Sequence, residues 1–233
     1  MVCCLIKCAS GALFNQKNMA ILSWEYCFLN MKRRILNKLG DISKIHHRAA
    51  FADVQQHINK HQGSNAFLEL AKKRYSCREF NHHPVAAIKV KKILEAARLA
   101  PTACNKQPIH VWAITSEEAL QRIRPVHTLF GAPLAFIVGC KSDEAWVRGF
   151  DGKNGAETDA AIVGTHILLA AADLDLGCTW IGGFDPKKLA DAFPETAGYE
   201  ITAVFAVGHP AAGAVPSERH SIRKSMDEFV TEL

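Results

Sequence analysis

Apolar residues at 90, 93, 94 and 97, with lysines at 89, 91 and 92 between them, recur at the spacing of one helix face. The pattern predicts an amphipathic helix over Ala86–Ala100, which Pro101 stops. LAFIVGC (134–140), introduced by Pro133, is a continuous apolar run of strand length and predicts a buried strand. HVWAIT (110–115), CTWIGGF (178–184) and ITAVFAVG (201–208) predict three more, the second breaking into a glycine turn. Residues 117–124 predict a short polar helix. Asp185 and Pro186 begin another, with the acid at the cap and the proline in the first turn. The run AAIVGTHILLAAADL, opened by Asp159 and ended by Gly177, is apolar almost all round. Such a helix belongs at the centre of a large core or in a subunit interface. Ile162, Ile167 and Leu168 are the expected apolar patch. Residues 31–62 read as a basic, polar helical segment, and Gly63-Ser64-Asn65 breaks it. Ser64 or Asn65 is then a candidate cap for a helix through AFLELAKKR. Helical and strand patterns mixed in this way predict a three-layer α+β protein.

A chain of 233 residues, 48% hydrophobic and 22% charged, reads as soluble and globular. No apolar run approaches the roughly 18 residues needed to span a bilayer. The net charge of +5 is unevenly placed: residues 1–64 hold nine Lys/Arg and three acids, a balance of +6, and the remainder stands at −1. The main body therefore gives no general reason to bind nucleic acid. Cys77, Cys104, Cys140 and Cys178 are scattered without a CxxC pair, which argues for reduced thiols in a cytoplasmic protein. Cys3, Cys4 and Cys8 lack a nearby fourth ligand, and His57 and His61, though at helical ligand spacing, lack a third. MVCCLIKCASGALF is apolar, but its only early charge, Lys7, lies inside the run, so no export signal is expected. MKRRIL at Met31 has the form of a conventional beginning.

Four stretches carry candidate chemistry. KRYSCREF, Lys73–Phe80, sets Lys73, Arg74 and Arg78 around Ser76 with Glu79 as the only acid. APTACNKQP, Ala100–Pro108, packs Thr102, Asn105 and Gln107 between two prolines. By itself it reads as a polar loop ending a helix. LGCTWIGGF removes side chains at Gly182 and Gly183, either for a tight turn or for close backbone approach to a flat ligand. RHSIRKSMDEF carries Arg219, Arg223 and Lys224 and by itself reads as a solvated tail.

In order and spacing these stretches resemble the nitroreductase family of flavin enzymes, over about residues 65 to 233. The family's phosphate pattern, Arg-x-Ser-x-Arg/Lys, is matched by Arg74, Ser76 and Arg78, with Tyr75 between them. Its Pro-Ser/Thr-x-x-Asn-x-Gln-Pro loop is matched by Pro101, Thr102, Asn105, Gln107 and Pro108, and Ala103 inside it is a further candidate cofactor contact. The resemblance implies a central mixed, mainly antiparallel sheet flanked by helices, in an intertwined homodimer with FMN bound across the interface. Arg74, Ser76 and Arg78 would grip the FMN phosphate, completed by Arg223 and less directly by Lys224. Arg78 would also approach the flavin ring. Residues Pro101–Gln107 would come from the other subunit. Ile181, Gly182 and Gly183 match the turn whose backbone approaches flavin N5 and O4.

The implied activity is hydride transfer from NADH or NADPH through FMN to a small acceptor such as a nitroaromatic or quinone, by alternating occupancy of one cavity. Trp146, Arg148 and Phe150 would line that cavity or form an ordinary exposed loop. No nucleophile is assigned to Cys104, and His166 reads as a hydrogen-bonded core or interface residue. The chain departs from many relatives in having Ile109 after Gln-Pro, and from some in having Gly182 where they have Glu. The first 62 residues read as an extension of the 63–233 flavin domain. Rival readings are a flavin-fragmenting or dehalogenating enzyme of the same fold, a flavin-binding protein without turnover, and a nucleic-acid-binding N-terminal arm.

Overall fold

The computed structural model describes residues 65–233. The helix expected over 31–62, His57, His61, Ser64 and the N-terminal cysteines Cys3, Cys4, Cys8 and Cys27 lie outside the described residues. Asn65 occupies the N-cap of α1 (Ala66–Lys73) without a capping side-chain bond. α2 is Ala87–Arg98 and buries Ile93 and Ala97, two of the four positions expected to face inward; Val90 and Leu94 pack partly buried beside them. Four strands follow the apolar runs: β1 (Ile109–Ile114), β2 (Leu134–Cys140), β3 (Gly177–Ile181) and β4 (Glu200–Gly208). Between them lie α3 (Glu117–Ile123), α4 (Ala156–Asp173) and α5 (Pro186–Ala192), and α6 (Met226–Phe229) stands near the end of the chain. The Asp185 side chain accepts from the Lys187 and Lys188 amides, as its place before Pro186 predicts.

The strands form one sheet in the order β1-β2-β4-β3, each neighbouring pair antiparallel. The parallel component is a single bridge, Ser76–Cys178, outside the named strands. β2 and β4 are central, which explains why all seven β2 residues are buried and why that run shows no polar alternation. Alternation instead divides two apolar cores. Leu134, Phe136, Val138, Phe205 and Val207 face α2 and α4. Ala135, Ile137, Val204 and Ala206 face α3 and α5, where they meet Leu120, Ile123 and Leu189. Helices on both faces of the sheet make the three layers.

α4 begins three residues before Asp159. Gly155 takes the N-cap position and the Asn154 side chain accepts the Ala156 amide. Asp159 thus sits inside the helix, 2% exposed, and its carboxylate is free to bond elsewhere. The helix buries Ala160, Val163, Gly164, Ile167 and Ala171 against the sheet. Ile167 therefore belongs to the chain's own core and cannot contribute to an outer patch, whereas Ile162 and Leu168 remain partly exposed. Close approach needs a glycine: a methyl group on Gly164 would lie 2.6 Å from both Phe205 Cζ and Trp180 Cζ3. Overpacking costs roughly 1–3 kcal/mol, against a helix-propensity gain of up to about 1 kcal/mol. Gly164→Ala is thus expected to lower the urea midpoint by the equivalent of about 1–2 kcal/mol. An unchanged midpoint would mean that α4 has room to shift.

Candidate active site

After α1 the chain turns extended at Arg74 (φ −62°, ψ 128°) and runs along the outer edge of β3. The Cys77 amide donates to Cys178 O (3.1 Å), and Asn81 and Glu79 exchange backbone bonds with His209 and Ala211. In extended chain alternate side chains point to opposite sides. Cys77 turns inward and is fully buried, while Arg74, Ser76 and Arg78 share the other side. The spacing Arg-x-Ser-x-Arg is therefore a strand-period device presenting two guanidiniums and a hydroxyl together. Phe80, 7% exposed, anchors its end. Space for that anchor comes from paired glycines: a Cβ on Gly177 would lie 2.7 Å from Cys77 Cβ and Sγ, and one on Gly208 would lie 3.1 Å from Phe80 Cδ1.

The C-terminal tail folds back over this strip. His220 Nε2 lies 2.9 Å from Lys72 O, its ring is edge-on to Tyr75 at 6.4 Å, and Ser217 Oγ accepts the Arg219 amide. Together Arg74, Tyr75, Ser76, Arg78, Ser217, Arg219, His220 and Arg223 line a cleft of about 250 Å³. Four arginines line it, and among the described residues no Asp or Glu does. Such a donor set suits a multiply charged anion, since each arginine offers a planar fork to phosphate oxygens. Burial, and then Cys77, push the Tyr75 phenol above its ordinary range, so it stays neutral. Lys224 is exposed and outside the lining. Ser217, Arg219 and His220 are the cleft residues that sequence patterning missed. RHSIR carried the signal, but only the folded tail turns Arg219 toward Arg74.

Residues 101–108 line no part of that cleft within one chain. Thr102 and Gln107 border a separate cavity of about 240 Å³ whose floor includes Ala97, Ala100 and Val163. Cys104, Asn105 and Gln107 all have positive φ (52°, 52° and 51°). Non-glycine residues in the left-handed region cost roughly 1–2 kcal/mol each. Within the turn the Asn105 and Lys106 amides donate to Thr102 O and Ala103 O, and it is tied down further by Ala103 N–H to Asp159 Oδ1 (2.9 Å), Gln107 N–H to Thr102 Oγ1 (2.9 Å) and Lys141 N–H to Pro108 O (2.9 Å). Thr102 thus spends its hydroxyl within the loop, while Asn105 and Gln107 remain exposed.

β3 ends at buried Ile181, and Gly182 and Gly183 follow in the open. No described atom comes within 4 Å of a Cβ built on Gly183, so the chain's own packing does not demand glycine there. Of the loop residues considered for the cavity, Trp146 is half-buried, and its carbonyl accepts the Gly155 amide. Arg148 pairs with Asp151, and Phe150 is fully exposed. His166 Nδ1 lies 2.8 Å from Ile162 O, a satisfied helix contact. Burial pushes the Cys178 thiol far up, so it is an inert neutral side chain beneath the strip.

A profile of the nitroreductase family matches residues 71–128 and 124–209, more than half of the chain. The chain belongs to the nitroreductase family. A nitroreductase family protein from Clostridium difficile 630 shares 34% identity and superposes with a TM-score of 0.65, over 70% of this chain and 95% of that one. A protein of Methanothermobacter thermautotrophicus, provisionally named an NADH dehydrogenase/NAD(P)H nitroreductase, is 34% identical over 133 residues, 55% of this chain and 67% of its own. A provisionally named nitroreductase from Desulfovibrio desulfuricans, solved in complex with FMN, is 26% identical with a TM-score of 0.58, covering 71% of this chain and 95% of that one. The chain is thus a nitroreductase-family oxidoreductase with the family's α+β fold. Both the arginine strip and the 101–108 loop fall within the matched residues, whereas the tail from Ser217 lies beyond them. Among the described residues no helix is long and apolar enough to cross a membrane.

Proposed function

We propose that this protein is an FMN-dependent NAD(P)H oxidoreductase in which the arginine cleft holds the FMN phosphate. The observation that carries the reading is the convergence of Arg74, Arg78, Arg219 and Arg223 on one cleft, with no acid in its lining among the described residues, in a member of this family. A phosphate monoester carries about −1.5 to −2 charge at neutral pH, which two of these guanidiniums would neutralise. Ser76 and Ser217 add neutral donors. Bound FMN would supply hydride acceptance from a nicotinamide and delivery of the electron pair to a small acceptor, a nitroaromatic or a quinone.

The chain's own residues bind and orient. Gly182 and Gly183 leave backbone accessible just past the end of β3. Asn105 and Gln107 offer exposed amides on a braced loop. Because that loop does not reach the arginine cleft of its own chain, the site is completed by a second copy, giving a homodimer. The exposed Phe67 and Leu68 of α1, which buries no residue of its own, and the partly exposed Ile162 and Leu168 of α4 support that reading. Residues 63–233 form the flavin domain and 1–62 an N-terminal extension. Lys224 stays a peripheral cation.

Absorbance and stopped-flow measurements test this function. The purified protein is expected to show flavin bands near ~370 and ~450 nm, as any bound flavin does. NADH or NADPH is expected to bleach them without acceptor, and a quinone or nitroaromatic to restore them after the oxidised nicotinamide has left. Bleaching only in the presence of acceptor would replace alternating occupancy with a ternary complex. A protein that binds no flavin would end the reading.

A further inference from the structure

We propose that Asp159 is a positioning residue for flavin: through the Ala103 amide it sets the turn that presents Asn105 and Gln107. The inference rests on the flavin reading above. Asp159 lies in α4 and Ala103 in the loop, 56 positions apart, yet Asp159 Oδ1 accepts the Ala103 N–H at 2.9 Å. The carboxylate is 2% exposed, and its Oδ2 has no protein partner among the described residues. A buried acid is costly unless it is used, and the bond to Ala103 is that use. Immediately after Ala103 the chain enters the left-handed region at Cys104 and Asn105 and returns to it at Gln107. The native bond is therefore at the entrance to the strained turn, where fixing one amide decides the direction of the following peptide planes. The other end is fixed independently by Lys141 N–H to Pro108 O. Asp159 also lies near the N-terminus of an 18-residue helix, where the macrodipole favours its charge.

Position, not global stability, is the claimed role, and it has its own signature. The loop would meet the ring, which FMN and riboflavin share, whereas Arg74, Arg219 and Arg223 of the cleft would meet the phosphate. Asp159→Ala is therefore expected to weaken FMN and riboflavin by the same factor, up to about tenfold, because binding must then re-order the loop that one charge-assisted bond had held. Asp159→Asn keeps an oxygen for the Ala103 amide and is expected to recover most of that loss. Ala103→Pro removes the same bond from the loop side. Thr102 before it is already extended (φ −129°, ψ 156°), the conformation that precedes proline readily. It also serves if Asp159→Ala does not fold. Where both single variants fold, the double variant should lose no more than either alone, because they delete one interaction.

Fluorescence titration of each full-length variant with FMN and with riboflavin reads all of this. Unchanged affinities in Asp159→Ala or Ala103→Pro would overturn the proposal. So would a loss confined to FMN, an Asp159→Asn variant as weak as Asp159→Ala, or additive losses in the double variant. A wild-type protein that binds FMN while the variants match it defeats this inference alone. A wild-type protein that binds neither flavin defeats the functional reading as well.

Discussion

Arg74→Ala is expected to weaken FMN binding by more than about tenfold, since a hydrogen bond to a charged group is worth roughly 1.5–3 kcal/mol. Riboflavin, which lacks the phosphate, should bind the variant and the wild type alike. The cleft geometry makes the contrast sharp. Arg74 is half-buried at the point where α1 gives way to the extended strip, and Tyr75 and the folded tail limit its movement. Arg78, Arg219 and Arg223 remain to hold the anion, so binding should weaken without being abolished. Titration of the two flavins against both proteins measures the effect. Equal affinity of variant and wild type for FMN would remove Arg74 from the phosphate site. A parallel loss of riboflavin would show that the substitution disturbs the strip and not the charge.

The second large effect concerns what holds the strip in place. Phe80 lies over the Gly177–Gly208 pair, where the edge of β3 meets the end of β4. Truncating a buried phenylalanine typically costs about 3–5 kcal/mol. For a domain of this size Phe80→Ala should lower the melting temperature by roughly 10 °C. FMN affinity should fall as well, because Ser76, Arg78 and the buried Cys77 hang on the same extended segment. Calorimetry of the flavin-free protein separates the two substitutions: Arg74→Ala should melt like the wild type, and Phe80→Ala well below it. If Phe80→Ala melts early yet binds FMN normally, the backbone bonds to Cys178 and His209 suffice to align the arginines.

Much of this molecule is legible from local pattern alone. The seven-residue run Leu134–Cys140 suits a short buried strand, and Asp185-Pro186 suits a helix start. Arg-x-Ser-x-Arg stood out by its resemblance to a family pattern, and its period of two is one that extended chain turns into a shared side for Arg74, Ser76 and Arg78. Local pattern was weaker where a side chain has a choice of partner. Asp159 looked like the start of a helix because acids favour first turns, yet the helix opens at Gly155, with Asn154 accepting the Ala156 amide, and Asp159 reaches a residue 56 positions away. Ile167 looked like an outer residue because its helix is apolar all round, and only the sheet beneath it settles which face turns inward. Arg219 looked like part of a solvated tail until His220 met the carbonyl of Lys72 and folded that tail onto Tyr75. The sequence by itself determined where helices, strands and turns lie, since backbone preference and periodicity act over a few residues. Tertiary structure decided the strand order, the inward face of α4 and the fourth arginine, because those depend on the fit between segments far apart in the chain, which no local pattern encodes.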